Sequence, residues 1–287
     1  MQHYTTEQKL AVVQASPKAV AEHDRRAWLA LFADYNIVED PVGSRPHISG
    51  VFDRRDGRRG KGPLGRFYDS FIAPNTIRFD VRRDIVNGDT VIRDLNIEIT
   101  MSKRVVVSVP MHLSYQLCEQ GGELKISRLA AHWEILPMVI QACSFGLDSL
   151  STMTKMGIRL LRNMGFSGMC GFMSGVRGIG HNGKVLVDEL FSALNSQNAN
   201  HLQLLVDSEQ SGPCFIGADG VAMSSSHFVL KHPGRFSVDK VLCSGYSCSA
   251  SFEYHDGERS LPGVMIAECC RHTGKITAAR FYVDNAE

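Results

Sequence analysis

Two stretches of this chain carry one pattern at one spacing. Arg78-Phe79-x-Val81 is followed by Asn87-Gly88, and Arg235-Phe236-x-Val238 is followed, at the same distance, by Ser244-Gly245. Each reads as a strand, a tight turn and a second strand. Further on, Leu124-Lys125-Ile126-Ser127 leads to Ala131-His132-Trp133. Its counterpart, Gly274-Lys275-Ile276-Thr277, leads to Arg280-Phe281-Tyr282. Upstream, a helix ending near Phe32-Ala33-Asp34 has a partner ending near Leu205-Val206-Asp207. A repeat of this length constrains the fold more than any single motif, because each copy must build and bury its own core. With 287 residues the chain has room for two such cores.

In each copy helices come first and strands follow. That order predicts α+β layers, with helices on one face of a curved antiparallel sheet, and argues against a doubly wound parallel sheet. The expected organisation is a first domain over residues 1–137, a helical connector over 138–182, and a second, degenerate domain over 183–287.

Residues 31–44 read LFADYNIVEDPVGS. This segment resembles the active-site segment of the bacterial Δ5-3-ketosteroid isomerases, in which a helix ends in Leu/Met-Phe/Tyr-Ala-Asp and a short strand carries Val-Glu-Asp-Pro. Here those motifs are Leu31-Phe32-Ala33-Asp34 and Val38-Glu39-Asp40-Pro41. The isomerases and the SnoaL-like polyketide cyclases share the conical, cystatin-like α+β fold of the nuclear transport factor 2-like superfamily. The resemblance covers residues 8–137 by motif and 183–284 by architecture alone, so it implies a tandem pair of cones.

What the resemblance implies about chemistry is specific. The catalytic base of the family falls on Asp40, and a pocket tryptophan falls on Trp133. An isomerase of this type moves a proton between two carbons beside a carbonyl, which requires a carboxylate in an apolar pocket and donors aimed at the enolate oxygen. The donor tyrosine of the family falls on Ser16, and its second donor, a protonated Asp, falls on Leu113. Neither residue is an equivalent donor. Tyr68 matches a tyrosine that supports the donor network, and Tyr115 is expected to face the cavity, with His112 on the opposite face of its strand. Asp94, with Asn96 and Glu98, is expected on a solvent-facing side, and His132 at a surface or interface. The second copy has no acid at the position matching Asp40, near Pro213. Cys248, Tyr246 and His227 could line a pocket there, but nothing pairs them as nucleophile and base.

Three readings of function follow. One is an isomerase- or cyclase-type enzyme acting on a small apolar carbonyl compound, steroid- or polyketide-like, with Asp40 as general base. Another is a non-catalytic lipid- or steroid-binding protein. The third is a scaffold made of two such domains, which pack on each other or pair in a homodimer. No cofactor is implied. The eight cysteines show no C-x-x-C or Cys/His ligand spacing, so free thiols are expected and a metal is not. A net charge of +1 gives no general attraction to nucleic acid or membrane. No apolar run reaches the ~20 residues of a membrane span. The first residues lack a basic stretch leading into an apolar one, so a cytoplasmic protein is expected.

Two segments fall outside the repeat. Residues 51–66 carry six Arg or Lys against two Asp, and read either as a solvated loop or as a binding loop for an anionic tail at the cavity mouth. Residues 138–182 combine a helical apolar pattern with the Gly- and Met-rich GFSGMCGFMSGVRGIG. They read as a helix connecting the domains, as an apolar lid over the first cavity, or as a membrane-surface contact.

Overall fold

The computed structural model describes residues 4–50, 62–207, 214–257 and 259–284. The chain divides into two compact units, Met1–Val176 and Arg177–Glu287.

In the first unit, α1 (Thr6–Ala21) and α2 (Arg25–Ala30) precede β1 (Phe32–Glu39) and β2 (His47–Ser49). α1 starts at a capping box in which Thr5 and Gln8 satisfy each other's free backbone N–H groups. The expected helix end at Phe32-Ala33-Asp34 lies in β1 instead, because α2 stops at Ala30. A short helix α3 (Pro63–Phe67) runs into a π-helical turn, Tyr68–Ile72. Four long strands follow: β3 (Thr76–Asn87), β4 (Thr90–Ser102), β5 (Val105–Gln120) and β6 (Glu123–His132). The sheet order is β2-β1-β6-β5-β4-β3.

The second unit repeats this design. α6 (Gly180–Asn195) and α7 (Ala199–Leu205) precede β7 (Phe215–Ile216), β8 (Ala222–Met223) and α8 (Ser225–Lys231). Then come β9 (Arg235–Ser244), β10 (Ser247–Asp256), β11 (Arg259–Cys269) and β12 (Ile276–Val283), in the order β8-β7-β12-β11-β10-β9. The two Arg-Phe-x-Val segments are the equivalent strands β3 and β9. Each closes on a two-residue turn whose glycine has positive φ, 55° at Gly88 and 58° at Gly245, as such hairpins require. The chain is therefore a tandem pair of α+β units built to one topology, as the repeat predicts. The sheets are not wholly antiparallel: β1 runs parallel to β6, and β7 parallel to β12.

Between these repeats, α4 (Ile135–Cys143) and α5 (Leu147–Met173) pack on the first unit, with Met138, Leu160 and Phe172 buried in its core. α5 is broken at Gly165, whose φ of 72° and ψ of 176° interrupt the helix. The stretch 138–182 thus falls in the first unit as far as Val176 and in the second from Arg177.

Candidate functional site

The first unit encloses an apolar cavity between α1, α2, the π-helical turn and the concave face of the sheet. Its free volume is small, about 50 Å³. Its wall is mainly apolar, with Phe67, Phe71, Ile97, Ile99 and Met111 among its residues, and Asp40, Ser16, Trp28, Tyr115 and Trp133 supply its polar atoms.

Asp40 stands at the end of β1, where the chain turns through a cis Asp40–Pro41 peptide. The indole Nε1–H of Trp133 donates to its Oδ1 at 2.6 Å. Burial pushes the Asp40 carboxyl up from 3.8 to about 6, and the Trp133 hydrogen bond partly offsets this. Asp40 still keeps some accessible surface, which fits a side chain lining a void. The neighbouring Glu39 takes no part, because strand alternation turns it to the other face, where Arg128 Nε donates to it at 3.0 Å.

A second polar group lines the same cavity. Trp28 Nε1–H donates to Ser16 Oγ at 3.1 Å. The Tyr115 phenol lies near both Ser16 and Arg93, whose influence lowers its pKa. Arg93 is almost wholly buried and grips Asp84 with Nε–Oδ1 at 2.6 Å and Nη2–Oδ2 at 3.1 Å. Its Nη1 also donates to the Val13 carbonyl at 3.4 Å. Pro17 explains why that carbonyl is available. Proline has no N–H to return to the residue four back, so the helix leaves Val13 unsatisfied and Arg93 fills the gap. Burial raises the Tyr115 phenol above its usual range, while Arg93 and Ser16 pull it down.

Of the residues expected at the site, Asp40, Ser16, Leu113, Tyr115 and Trp133 line this one cavity. Tyr68 stands outside the lining. Its ring lies 5.4 Å from that of Trp28, and its hydroxyl is buried near Asp24, Arg25 and Asp69 without a hydrogen-bond partner. The solvent-facing expectation for Asp94 is corrected. Asp94 is 1% exposed, 3.7 Å from His112 Nε2 and 3.9 Å from Arg82 Nη1, on the face of the sheet away from the cavity. His132 is also buried rather than superficial. Both lie on strands whose two faces are covered, so polarity alone misplaces them. Arg93 and Asp84 escaped sequence reasoning altogether. The available signal was register: Arg93 falls on the same side of β4 as Leu95, Ile97 and Ile99, where a lone cation must find a buried partner.

The 165–176 segment touches the turn after Asp40. Arg45 N–H donates to the Gly171 carbonyl at 2.9 Å, Arg45 Nη1 donates to Ser167 Oγ at 2.8 Å, and Phe172 lies 6.2 Å from Phe71 on the cavity wall. The basic stretch at 51–61 lies outside the described residues, as does Pro213. In the second unit Phe191, Phe215, Phe228, Phe236, Phe252 and Phe281 pack ring to ring at 4.7–6.2 Å, occupying the interior. Cys248 is buried there with its Sγ 2.8 Å from that of Cys243. Among the described residues no group of three or more His, Cys, Asp or Glu side chains suits a metal ion.

No family model matches the chain, and no curated protein matches it. Solved structures do. The Δ5-3-ketosteroid isomerase of Mycobacterium sp. is 28% identical over 45% of this chain and 94% of its own, with a TM-score of 0.36. RV0760c of Mycobacterium tuberculosis, in complex with estradiol-17beta-hemisuccinate, is 22% identical over 46% of this chain and 96% of its own, at 0.38. An LEH-like epoxide hydrolase of M. tuberculosis is 16% identical over 52% of this chain and 96% of its own, at 0.36.

Proposed function

We propose that the first unit binds a small apolar carbonyl compound, steroid- or polyketide-like, and moves a proton between two of its carbons with Asp40 as general base. The observation that carries this reading is the Trp133–Asp40 hydrogen bond in an apolar cavity. A carboxylate with a pKa of about 6 is ionised at neutral pH yet more basic than a free aspartate, which suits abstraction of a proton beside a carbonyl.

Tyr115 takes the role of donor to the enolate oxygen. Trp28 donates to Ser16 Oγ, and the Ser16 hydroxyl is free to donate in turn to Tyr115. Arg93 can only donate. Where both neighbours donate to the phenol oxygen, the phenol's own proton is left for the ligand. The reaction closes without a cofactor: Asp40 takes a proton from one carbon, the negative charge passes to the carbonyl oxygen beside Tyr115, and Asp40 returns the proton to the second carbon.

A binder without chemistry is the second reading. Ser16 and Leu113, where the isomerase pattern carries its donors, favour it. One assay separates the two. The chain's only tryptophans, Trp28 and Trp133, both line the cavity, so titration of their fluorescence with 5-androstene-3,17-dione reports binding, and absorbance of the conjugated enone reports turnover. Enone formation that vanishes in Asp40→Asn supports the enzyme. Quenching with no enone supports the binder. Neither signal, with this and with polyketide-like ketones, overturns both.

A further inference from the structure

α5 carries apolar residues on two sides. Met153, Met156, Leu160 and Met164 pack toward the first unit's core. Leu147, Leu150, Ile158 and Leu161 form a second row at helical spacing that faces solvent, and Phe166 follows just past the break at Gly165. Leu147 is 88% exposed, Leu150 68% and Phe166 72%. α4 adds Leu136 and Ile140, both exposed. A surface helix normally turns its polar residues to water, and a contiguous apolar patch of this kind marks a contact.

The charges beside this row have one sign. Lys155, Arg159 and Arg162 recur along one margin of it. Lys155 and Arg159 border a shallow groove with Met101 and Ser102, next to Lys103 and Arg104 on the β4–β5 turn. The only acid from residue 135 to 176 is Asp148, which is already paired with Arg104 at 3.2 Å. A second copy of the chain is a poor occupant, since a two-fold contact would set this cationic margin against itself. A surface of fixed negative charge is a good one. No described helix is long and apolar enough to cross a membrane, so the helix could only lie on such a surface.

We propose that the exposed face of α4 and α5 docks on an anionic lipid bilayer, with the leucine row in the headgroup boundary and Lys155, Arg159 and Arg162 on lipid phosphates. The inference is independent of catalysis. It also brings an apolar ligand, which partitions into lipid, to the unit that holds the cavity, where Phe172 packs on the wall residue Phe71.

The test is sedimentation of the full chain with vesicles of phosphatidylcholine alone or of phosphatidylcholine with phosphatidylserine. The wild type should sediment with the anionic vesicles, less so as salt rises, and weakly with the neutral ones. Lys155→Glu with Arg162→Glu should lower the bound fraction by at least about 10-fold. Leu150→Ser with Ile158→Ser should abolish binding while leaving circular dichroism and ligand quenching of tryptophan fluorescence unchanged. Failure of the wild type to bind anionic vesicles overturns the proposal, as does binding indifferent to both double variants. A dimer that Leu150→Ser with Ile158→Ser converts to monomer also overturns it, because the row would then be a contact between copies. None of these outcomes bears on Asp40, so the docking and the catalytic reading stand or fall separately.

Discussion

Trp133 donates its indole N–H to the carboxylate of Asp40 at 2.6 Å, joining the end of β6 to the end of its neighbour β1 inside an apolar cavity. The bond opposes the effect of burial on Asp40, so one contact both aims the carboxylate and moderates its basicity.

Replacing Asp40 by Asn keeps the shape and removes the base. Turnover should fall by ~10²–10⁴-fold while ligand affinity, read from tryptophan fluorescence, stays within a few-fold. In the wild type, turnover should rise with pH through about 6 as Asp40 ionises. Turnover that survives the substitution sinks the assignment.

Trp133→Phe removes the donor and keeps the ring's bulk. Since the hydrogen bond lowers the Asp40 pKa, its loss should move the midpoint of the pH–rate profile above that of the wild type. An unmoved midpoint would mean that the bond does not act on the reacting group.

Tyr115→Phe should cost ~10²–10³-fold in turnover, the range for loss of one donor to a developing oxyanion. Tyr68→Phe should change turnover little, because Tyr68 lies outside the cavity lining. Steady-state kinetics of the two variants decide the matter, and the reverse ranking would move the donor role to Tyr68.

Arg93→Met leaves the mostly buried Asp84 beside an apolar side chain and removes the charge next to Tyr115. Breaking a buried ion pair from one side costs ~3–5 kcal/mol, measurable by urea unfolding. Adding Asp84→Leu should restore much of that stability but not the turnover. Full recovery of both would show that Arg93 is purely structural.

Acid should act on the fold through two groups of opposite sign. His132 is pushed down by burial to about 4 from 6.5. As pH falls from 6.5 to 4 the unfolded chain takes that proton first, so stability is lost across this window, and His132→Phe should flatten the loss. Asp40 is pushed up, so the stability of its neutral form is fully present below 3.8 and lost as pH rises through about 6. Asp40→Asn should therefore unfold later than the wild type at pH 7, by on the order of 3 kcal/mol, and show no such gain near pH 3.5.

The repeat, the helix-then-strand order and the place of Asp40 were legible in the sequence. Periodicity, turn glycines and one contiguous motif encode them locally, and local rules carry that far. The apolar side of β5 was legible too: alternation set Leu113 and Tyr115 against His112, and the cavity is lined by the first two. What the chain alone did not disclose depends on contacts between residues far apart in sequence. Arg93 looked like one polar residue among many on β4. Only the folded sheet shows that it is buried beneath α1, where Pro17 leaves the Val13 carbonyl free, and that it lies beside Tyr115. Tyr68 fails to reach the cavity because the π-helical turn packs its ring on Trp28. The buried states of Asp94 and His132 escaped for a related reason: whether the second face of a sheet meets water is not written in any one strand. Sequence determined which faces are apolar and where the carboxylate stands. Tertiary structure decided which polar groups share its cavity, because a hydrogen bond is set by the meeting of two elements and neither element specifies it alone.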